Sequence, residues 1–331
     1  MELAIIGSYG HVGTVLNGLA KVDDVQLVAA ARWGEDDPLG FVGGHEAAGD
    51  GLEVYDDYRM MLHEVRPELV GVFMPLYRNA EASIAAAEHG AHVICEKPLA
   101  TTLADLSALA EAVAVAGVKI NALLEMRGHP PYLAIRDAVA AGRIGEPMLA
   151  YGQKSYPFGR RDDYYKSRET YGGSILWAAI HALDFVSYCT GKGYARVAAA
   201  QSNVAHPTHP GMEDCGGILL DLAGGGHAMV SFDYLRPWSD GVERRWGDER
   251  LRIVGTEGLV QLGDDGLRVE LTTPTDVEQL PLSDERDIFA EFVASVRGEG
   301  EGLITTEQSV RITEVAIKAR DAADTGRAVV L

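Results

Sequence analysis

Gly7, Gly10 and Gly13 recur every third residue in Ile5-Ile6-Gly7-Ser8-Tyr9-Gly10-His11-Val12-Gly13. The stretch joins an apolar run to a helix-period segment. Glycines in such a turn let backbone N–H groups approach a pyrophosphate at a helix N-terminus. The spacing is G-x-x-G-x-x-G, one residue longer before the middle glycine than the usual dinucleotide fingerprint. About 20 residues further on, where an acid commonly reads the ribose hydroxyl, the chain has Arg32. An arginine there suits a 2′-phosphate, which favours NADP(H) over NAD(H); its other reading is a solvated surface side chain. Glu35 remains available to a hydroxyl. Lys97 follows a short apolar run, Ala91 to Cys95, and precedes Pro98. Open parallel sheets bind ligands at the carboxyl ends of their strands, so Lys97 is a candidate proton carrier; otherwise it is a solvated strand-end lysine. Glu96 would favour its charged form. His181 lies in an apolar helix, with Trp177 four residues before and Asp184 three after, on one helical face. It is either a core histidine with a hydrogen-bond partner or an acid/base group. Asp184 either orients it or makes a structural hydrogen bond.

Weaker candidates stand elsewhere. Arg160 to Arg168 concentrates cations, either as an anion-binding loop or as a mixed-charge surface loop. His206 and His209 are three apart among prolines, with only Glu213 or Asp214 near, so no metal site is expected. Cys95, Cys189 and Cys215 are widely spaced, which points away from disulfides or a cysteine zinc site and towards a reducing cytoplasm.

These residues need elements to hold them. Leu3–Ile6, Val25–Ala31, Leu69–Met74, Ala91–Cys95 and Val118–Ala122 read as buried strands, with Leu52–Tyr55 as a shorter one. Helix-period stretches at Val12–Val22, Tyr58–Val65, Ala80–His89 and Leu103–Ala116 alternate with them. Apolar strands alternating with amphipathic helices predict an α/β doubly wound parallel sheet. After residue 122 the pattern changes. A helix opens at Pro130 and Pro131, and a second runs from Ser174 to Cys189. Strand runs follow, with period-two alternation at Ala228–Tyr234 and a Gly224-Gly225-Gly226 hairpin. Two helices, Glu285–Val296 and Thr306–Ala323, close the chain. The expected domains are 1–122, which binds the dinucleotide, and 123–331, an α+β domain with a mainly antiparallel open sheet. An uncovered sheet face would make a homodimer or homotetramer.

At 331 residues the chain suits two domains. It is 47% hydrophobic and 24% charged, which excludes a mostly disordered chain. A net charge of −20 disfavours nucleic acid and anionic membranes as partners. The N-terminus does not read as a signal peptide, and no apolar run is long enough to span a bilayer.

Cys95-Glu96-Lys97-Pro98-Leu99-Ala100 resembles the strand ending of the glucose–fructose oxidoreductase / inositol dehydrogenase / MocA (Gfo/Idh/MocA) family. Agreement continues along the chain: the turn at Gly7, Pro75, Arg127, Pro130, Gly142-Arg143-Ile144-Gly145, Gly172-Gly173-Ser174, His181 and Gly255-Thr256-Glu257-Gly258. The resemblance implies a Rossmann domain and NAD(P)-dependent oxidation or reduction of a sugar, cyclitol or related polyol. It implies cofactor contacts from Gly7, Ser8, Tyr9, Gly10, His11, Val12, Arg32, Met74, Pro75, Glu96 and Lys97. It implies Lys97 and His181 as catalytic residues, and substrate contacts from Lys97, Arg127, Tyr164, Trp177 and His181. Trp177 stands where the family carries an aspartate, and Ala179 where it carries a glycine. Trp177 then either packs in the core or stacks on a sugar ring. A redox-neutral NAD-dependent lyase or glycosidase, or a non-catalytic NAD(P)-binding regulator, is the alternative.

Overall fold

The computed structural model describes residues 1–35, 37–49, 51–237 and 248–331. The chain divides into two units: Met1–Glu125 with Arg286–Thr313, and Met126–Glu285 with Glu314–Leu331.

In the first unit six parallel strands form a sheet: β1 (Glu2–Ile6), β2 (Gln26–Ala31), β3 (Glu53–Tyr55), β4 (Leu69–Val72), β5 (His92–Cys95) and β6 (Ile120–Ala122). Their order is β3-β2-β1-β4-β5-β6. The chain reverses direction across the sheet between β1 and β4, and such sheets open a ligand crevice at that point. β1 and β4 are buried from Leu3 to Ile6 and from Leu69 to Val72, as strands covered on both faces must be. The helices Val12–Gly18, Tyr58–Val65, Asn79–Glu88 and Leu103–Ala116 connect them. Thr102 caps the last of these by accepting from Asp105 N, and Gly117, at φ 68°, ends it.

The first unit, expected over residues 1–122, runs to Glu125 and also takes in Arg286–Thr313. Ile288, Phe289, Phe292 and Val293 belong to one apolar cluster with Leu3, Ile5, Val15 and Leu16. Asp287 caps their helix, Ile288–Val296, by accepting from Phe289 N and Ala290 N. The following segment covers the free edge of β6. Ile120 N donates to Thr306 Oγ1 at 3.0 Å, Asn121 Nδ2 to Ile304 O at 2.8 Å and Ala122 N to Ser309 Oγ at 3.0 Å. An exposed edge strand invites foreign pairing; here the chain's own later segment closes it.

Among its described residues the second unit carries nine strands: β7 (Pro147–Ser155), β8 (Tyr194–Ser202), β9 (Cys215–Leu222), β10 (His227–Asp233), β11 (Asp248–Gly255), β12 (Leu259–Leu262), β13 (Val269–Thr272), β14 (Val277–Gln279) and β15 (Val329–Val330). Their order is β14-β13-β12-β11-β7-β10-β9-β8-β15. The β7–β10 pair is parallel, and the other described pairs are antiparallel. The Gly224–Gly226 turn joins β9 to β10 as a hairpin. A side chain at Gly152 would lie 2.8 Å from Val186, so the helix Ile180–Thr190 rests directly on β7. On the opposite face Tyr151, Met229 and Leu219 stand in register across three strands and are exposed.

Candidate functional site

The glycine turn is held from three sides of the sheet crevice. Gly7 N donates to Ala31 O at 2.8 Å, Tyr9 N to Phe73 O at 2.9 Å and His11 N to Glu96 Oε2 at 2.6 Å. Both early glycines are obligatory. Gly7 has φ 78°, and a Cβ there would lie 2.2 Å from Phe73 O; Gly10 has φ 64°, with its Cβ 2.1 Å from Glu96 Oε2. The N–H groups of Ser8, Gly10 and Val12 have no backbone acceptor among the described residues. Donors left free at the start of a helix suit a pyrophosphate, so the turn fits a dinucleotide.

Glu96 is the centre of this arrangement. It is fully buried; Oε2 lies 2.9 Å from His11 Nδ1, and Oε1 accepts from Lys97 N at 2.9 Å. Burial works against its ionisation, but His11 and Lys97 outweigh burial and hold its pKa below the ordinary value. Burial likewise works against the His11 imidazolium; the Glu96 carboxylate outweighs it and raises the pKa, with Lys97 opposing and Glu125 assisting. Lys97 is 1% exposed, at the carboxyl end of β5. Buried Asn79 fixes the same strand end, donating to Glu96 O and Pro98 O at 3.0 Å each and accepting from Met74 N at 3.3 Å. Met74 and Pro75 thereby stand beside Glu96 and Lys97. Sequence reasoning passed over Asn79; a lone amide directly after Pro75 and Arg78, opening a helix of alanines, was its only signal.

The pair makes stability depend on pH. The His11 contribution is fully present below its ordinary pKa of 6.5 and disappears as pH rises through the raised folded value. The Glu96 contribution is fully present above 4.5 and disappears as pH falls through the depressed folded value. The stability lost in His11→Ala is therefore expected to be largest between about pH 4.5 and 6.5 and to shrink in alkali. Urea unfolding of both proteins at pH 5.5, 7 and 8.5 measures it; a difference constant with pH contradicts the assignment.

At the end of β2 the structure places Arg32 next to two acids. Its Nε lies 3.2 Å from Asp56 Oδ1, and Nη1 donates to Asp37 O. Among the described residues of this loop, Asp37 is buried and Glu35 is exposed. Asp37 accepts from Ser8 Oγ at 2.5 Å, Leu39 N at 3.0 Å and Trp33 N at 3.1 Å. Asp37 thus clamps the β2 loop to the glycine turn, a role that depends on loop geometry and left no motif in the sequence. Trp33 meets Tyr9 edge to face at 5.8 Å.

The remaining candidates lie in the second unit. His181 is buried on the helix Ile180–Thr190. Ile175–Ala179, just before it, is a single π turn in which Ile180 N donates to Ile175 O. The i, i+4 register counted for an uninterrupted α-helix does not carry across this wide turn, so Trp177 and His181 are not simply stacked. Trp177 is the half-exposed residue in an otherwise buried run from Tyr171 to Val186. Asp184 makes the structural hydrogen bond that was one of its two readings. It receives a buried, two-pronged Arg127 guanidinium, with Nη2 at 2.7 Å from Oδ1 and Nε at 3.0 Å from Oδ2. The same guanidinium lies over the Tyr188 ring at 5.0 Å. Arg127, expected at the substrate, is buried and makes this internal pairing. Tyr164 is half-buried, its ring 4.2 Å from that of Tyr165. His206 stacks on Phe158 at 3.9 Å. Among the described residues no group of three or more His, Cys, Asp or Glu is arranged to hold a metal.

Comparison with known proteins agrees with this geometry. Residues 1–122 match the family profile described as "Oxidoreductase family, NAD-binding Rossmann fold", and residues 132–261 match "GFO/IDH/MocA C-terminal domain". A 1,5-anhydro-D-fructose reductase from Ensifer adhaerens is 28% identical over 262 residues, 76% of this chain and 75% of that protein. A myo-inositol 2-dehydrogenase from Thermotoga maritima is 27% identical over 269 residues, 78% and 74% of the two chains. A solved structure from Thermotoga maritima, assigned as an oxidoreductase, superposes with a TM-score of 0.94 at 32% identity and covers 100% of both chains. The glycine turn, the Glu96-Lys97-Pro98 strand end and these matches over both units make the chain a member of the Gfo/Idh/MocA family of NAD(P)-dependent oxidoreductases.

Proposed function

We propose that the chain moves a hydride between a nicotinamide cofactor and a CH–OH carbon of a sugar, cyclitol or related polyol. The observation that carries this is Lys97, buried at the carboxyl end of β5 and tied through Glu96 to the dinucleotide turn. The bound cofactor supplies the hydride acceptor or donor. Lys97 exchanges the hydroxyl proton, with His181 as a second proton-handling residue. Trp177, half-exposed on its wide turn, and Tyr164 contact the substrate. The reductase and dehydrogenase names of the relatives, which concern an anhydro-sugar and an inositol, support the substrate class. A panel of sugars and cyclitols with NAD(H) and NADP(H), read at the reduced-nicotinamide absorbance, tests the reading. Net turnover with none of them, or bond cleavage without reduced cofactor, would remove it.

NADP(H) is the preferred cofactor in this reading, because Arg32 stands where a ribose-binding acid is usual. Asp56, its partner, is exposed and easily exchanged for a 2′-phosphate. Arg32→Ala is expected to weaken NADP(H) at least about tenfold and NAD(H) little, as a charge-assisted hydrogen bond requires. Titration of both cofactors into both proteins decides; an unchanged ratio takes Arg32 out of the site. We further propose that the exposed Tyr151, Met229 and Leu219 face pairs with a second copy of the chain, which light scattering checks. We propose a reducing cytoplasm as the chain's compartment, because its three cysteines are widely spaced in the sequence.

A further inference from the structure

A layered stack of cations and aromatic rings in the second unit has no part in the chemistry above. Lys154 Nζ lies 5.0 Å from the Tyr156 ring centroid, Tyr156 stacks on Tyr234 at 5.9 Å and 21°, and Arg161 Cζ lies 4.8 Å from Tyr234. β7 and β10 run parallel, with Ser155 opposite Asp233, so both tyrosines leave the carboxyl ends of neighbouring strands. A bridge between Pro157 and Leu235 keeps the two segments extended beyond the strands, and Arg236 N donates to Tyr156 O at 3.2 Å. Alternation along an extended chain then sets Arg236 on the same side as Tyr234.

The charges of this region divide into two groups. Lys154 pairs with Glu249, Lys166 with Asp163, and Arg168 with Glu213 and Asp324. Arg161 and Arg236 are different: neither has a carboxylate partner among the described residues, and Arg161 Nε and Arg236 Nη1 are covered yet have no acceptor there. The chain has 49 acidic and 29 basic residues, so acids are plentiful, and two guanidinium groups, one over the Tyr234 ring and one two residues beyond Tyr234, without an acid among the described residues leave a place for an acceptor from outside. A half-buried guanidinium flanked by tyrosine is built for a planar or tetrahedral oxyanion, which it grips with two parallel hydrogen bonds. The stack also connects to the helix that carries His181. Tyr234 Oη and Tyr171 Oη are 3.1 Å apart, and Tyr171 Oη donates to Ser174 Oγ at 3.3 Å, directly before the wide turn of Trp177.

We propose that Arg161 and Arg236 form a subsite for an anionic group, carboxylate or phosphate, on the substrate. The substrate class is then an acidic sugar derivative, not a neutral polyol. This rests on the reading of the chain as a sugar or polyol oxidoreductase. The test is calorimetric titration of the cofactor-loaded protein with D-glucuronate, D-gluconate, D-glucose 6-phosphate and D-glucose. At least one acidic probe should bind about tenfold or more tightly than glucose, the scale of a charged hydrogen bond. Arg161→Met and Arg236→Met should each remove most of that preference and leave cofactor affinity unchanged. Arg161→Lys, which keeps the charge and the stem over Tyr234, should retain part of it and guards against a folding artefact. If no acidic probe outbinds glucose, or if the preference survives both methionine variants, the subsite is overturned. Turnover recorded on the same samples separates the two readings. Neutral polyols oxidised without any acid preference would overturn the subsite and keep the oxidoreductase. An arginine-dependent acid preference without turnover would keep the subsite and remove the oxidoreductase.

Discussion

Lys97→Met is expected to lower turnover about a hundredfold or more and to leave cofactor affinity nearly unchanged, the scale of losing a positioned acid/base. Methionine matches the length of the buried lysine stem and suits a site with 1% exposure, so the β5 end should keep its shape. The backbone there is held independently of the side chain: Lys97 N donates to Glu96 Oε1, and Asn79 holds both neighbouring carbonyls. A fall in turnover without a change in cofactor dissociation therefore reports lost proton transfer. Single-turnover kinetics beside cofactor titration make the measurement. His181→Ala should lower turnover less. A Lys97→Met protein that keeps most of its rate would place proton transfer on another group.

The second large effect concerns stability. Arg127→Met leaves the Asp184 carboxylate, 1% exposed, without its guanidinium. Removing one partner of a buried pair costs about 3–5 kcal/mol, because the remaining charge is neither solvated nor matched. For a unit of this size that is a fall in melting temperature of roughly 10 °C. Arg127→Met with Asp184→Leu should recover much of the loss, since a packed apolar pair can replace a buried ion pair. Scanning calorimetry of the two variants checks both statements. The double variant also decides whether Arg127 does anything for substrate: restored stability with an unchanged KM confines it to structure, whereas a raised KM would place it at the site.

Features written in local chemistry were legible from the residues alone. The bounds of the helix Leu103–Ala116 follow from Thr102 and Gly117, both adjacent in sequence. The glycine turn and the Glu96-Lys97-Pro98 strand end are motifs of neighbouring residues, and they carry the family resemblance. What was not legible depends on residues far apart or on very short elements. Val277–Gln279 and Val329–Val330 are too short to show a period. The π turn at Ile175–Ala179 has no signature distinct from a regular helix. Asp37 and Asn79 act only because loops from other strands reach them. Asp184 had a plausible partner three residues away, and the fold gave it one 57 residues away.

The apolar cluster that joins Leu3 and Ile5 to Phe289 and Phe292 has a consequence for synthesis. The first strand leaves the ribosome early, but the helix that completes its core is made only after the whole of residues 126–285. At ordinary rates of elongation that interval is roughly ten to thirty seconds. During it the nascent sheet presents an uncovered apolar face and an unpaired β6 edge, which are the features that chaperones bind and that aggregation exploits. Ribosome-bound chains halted before residue 286 should therefore be held by chaperone or be readily cleaved by protease across residues 1–125, and those halted well beyond residue 313 should resist.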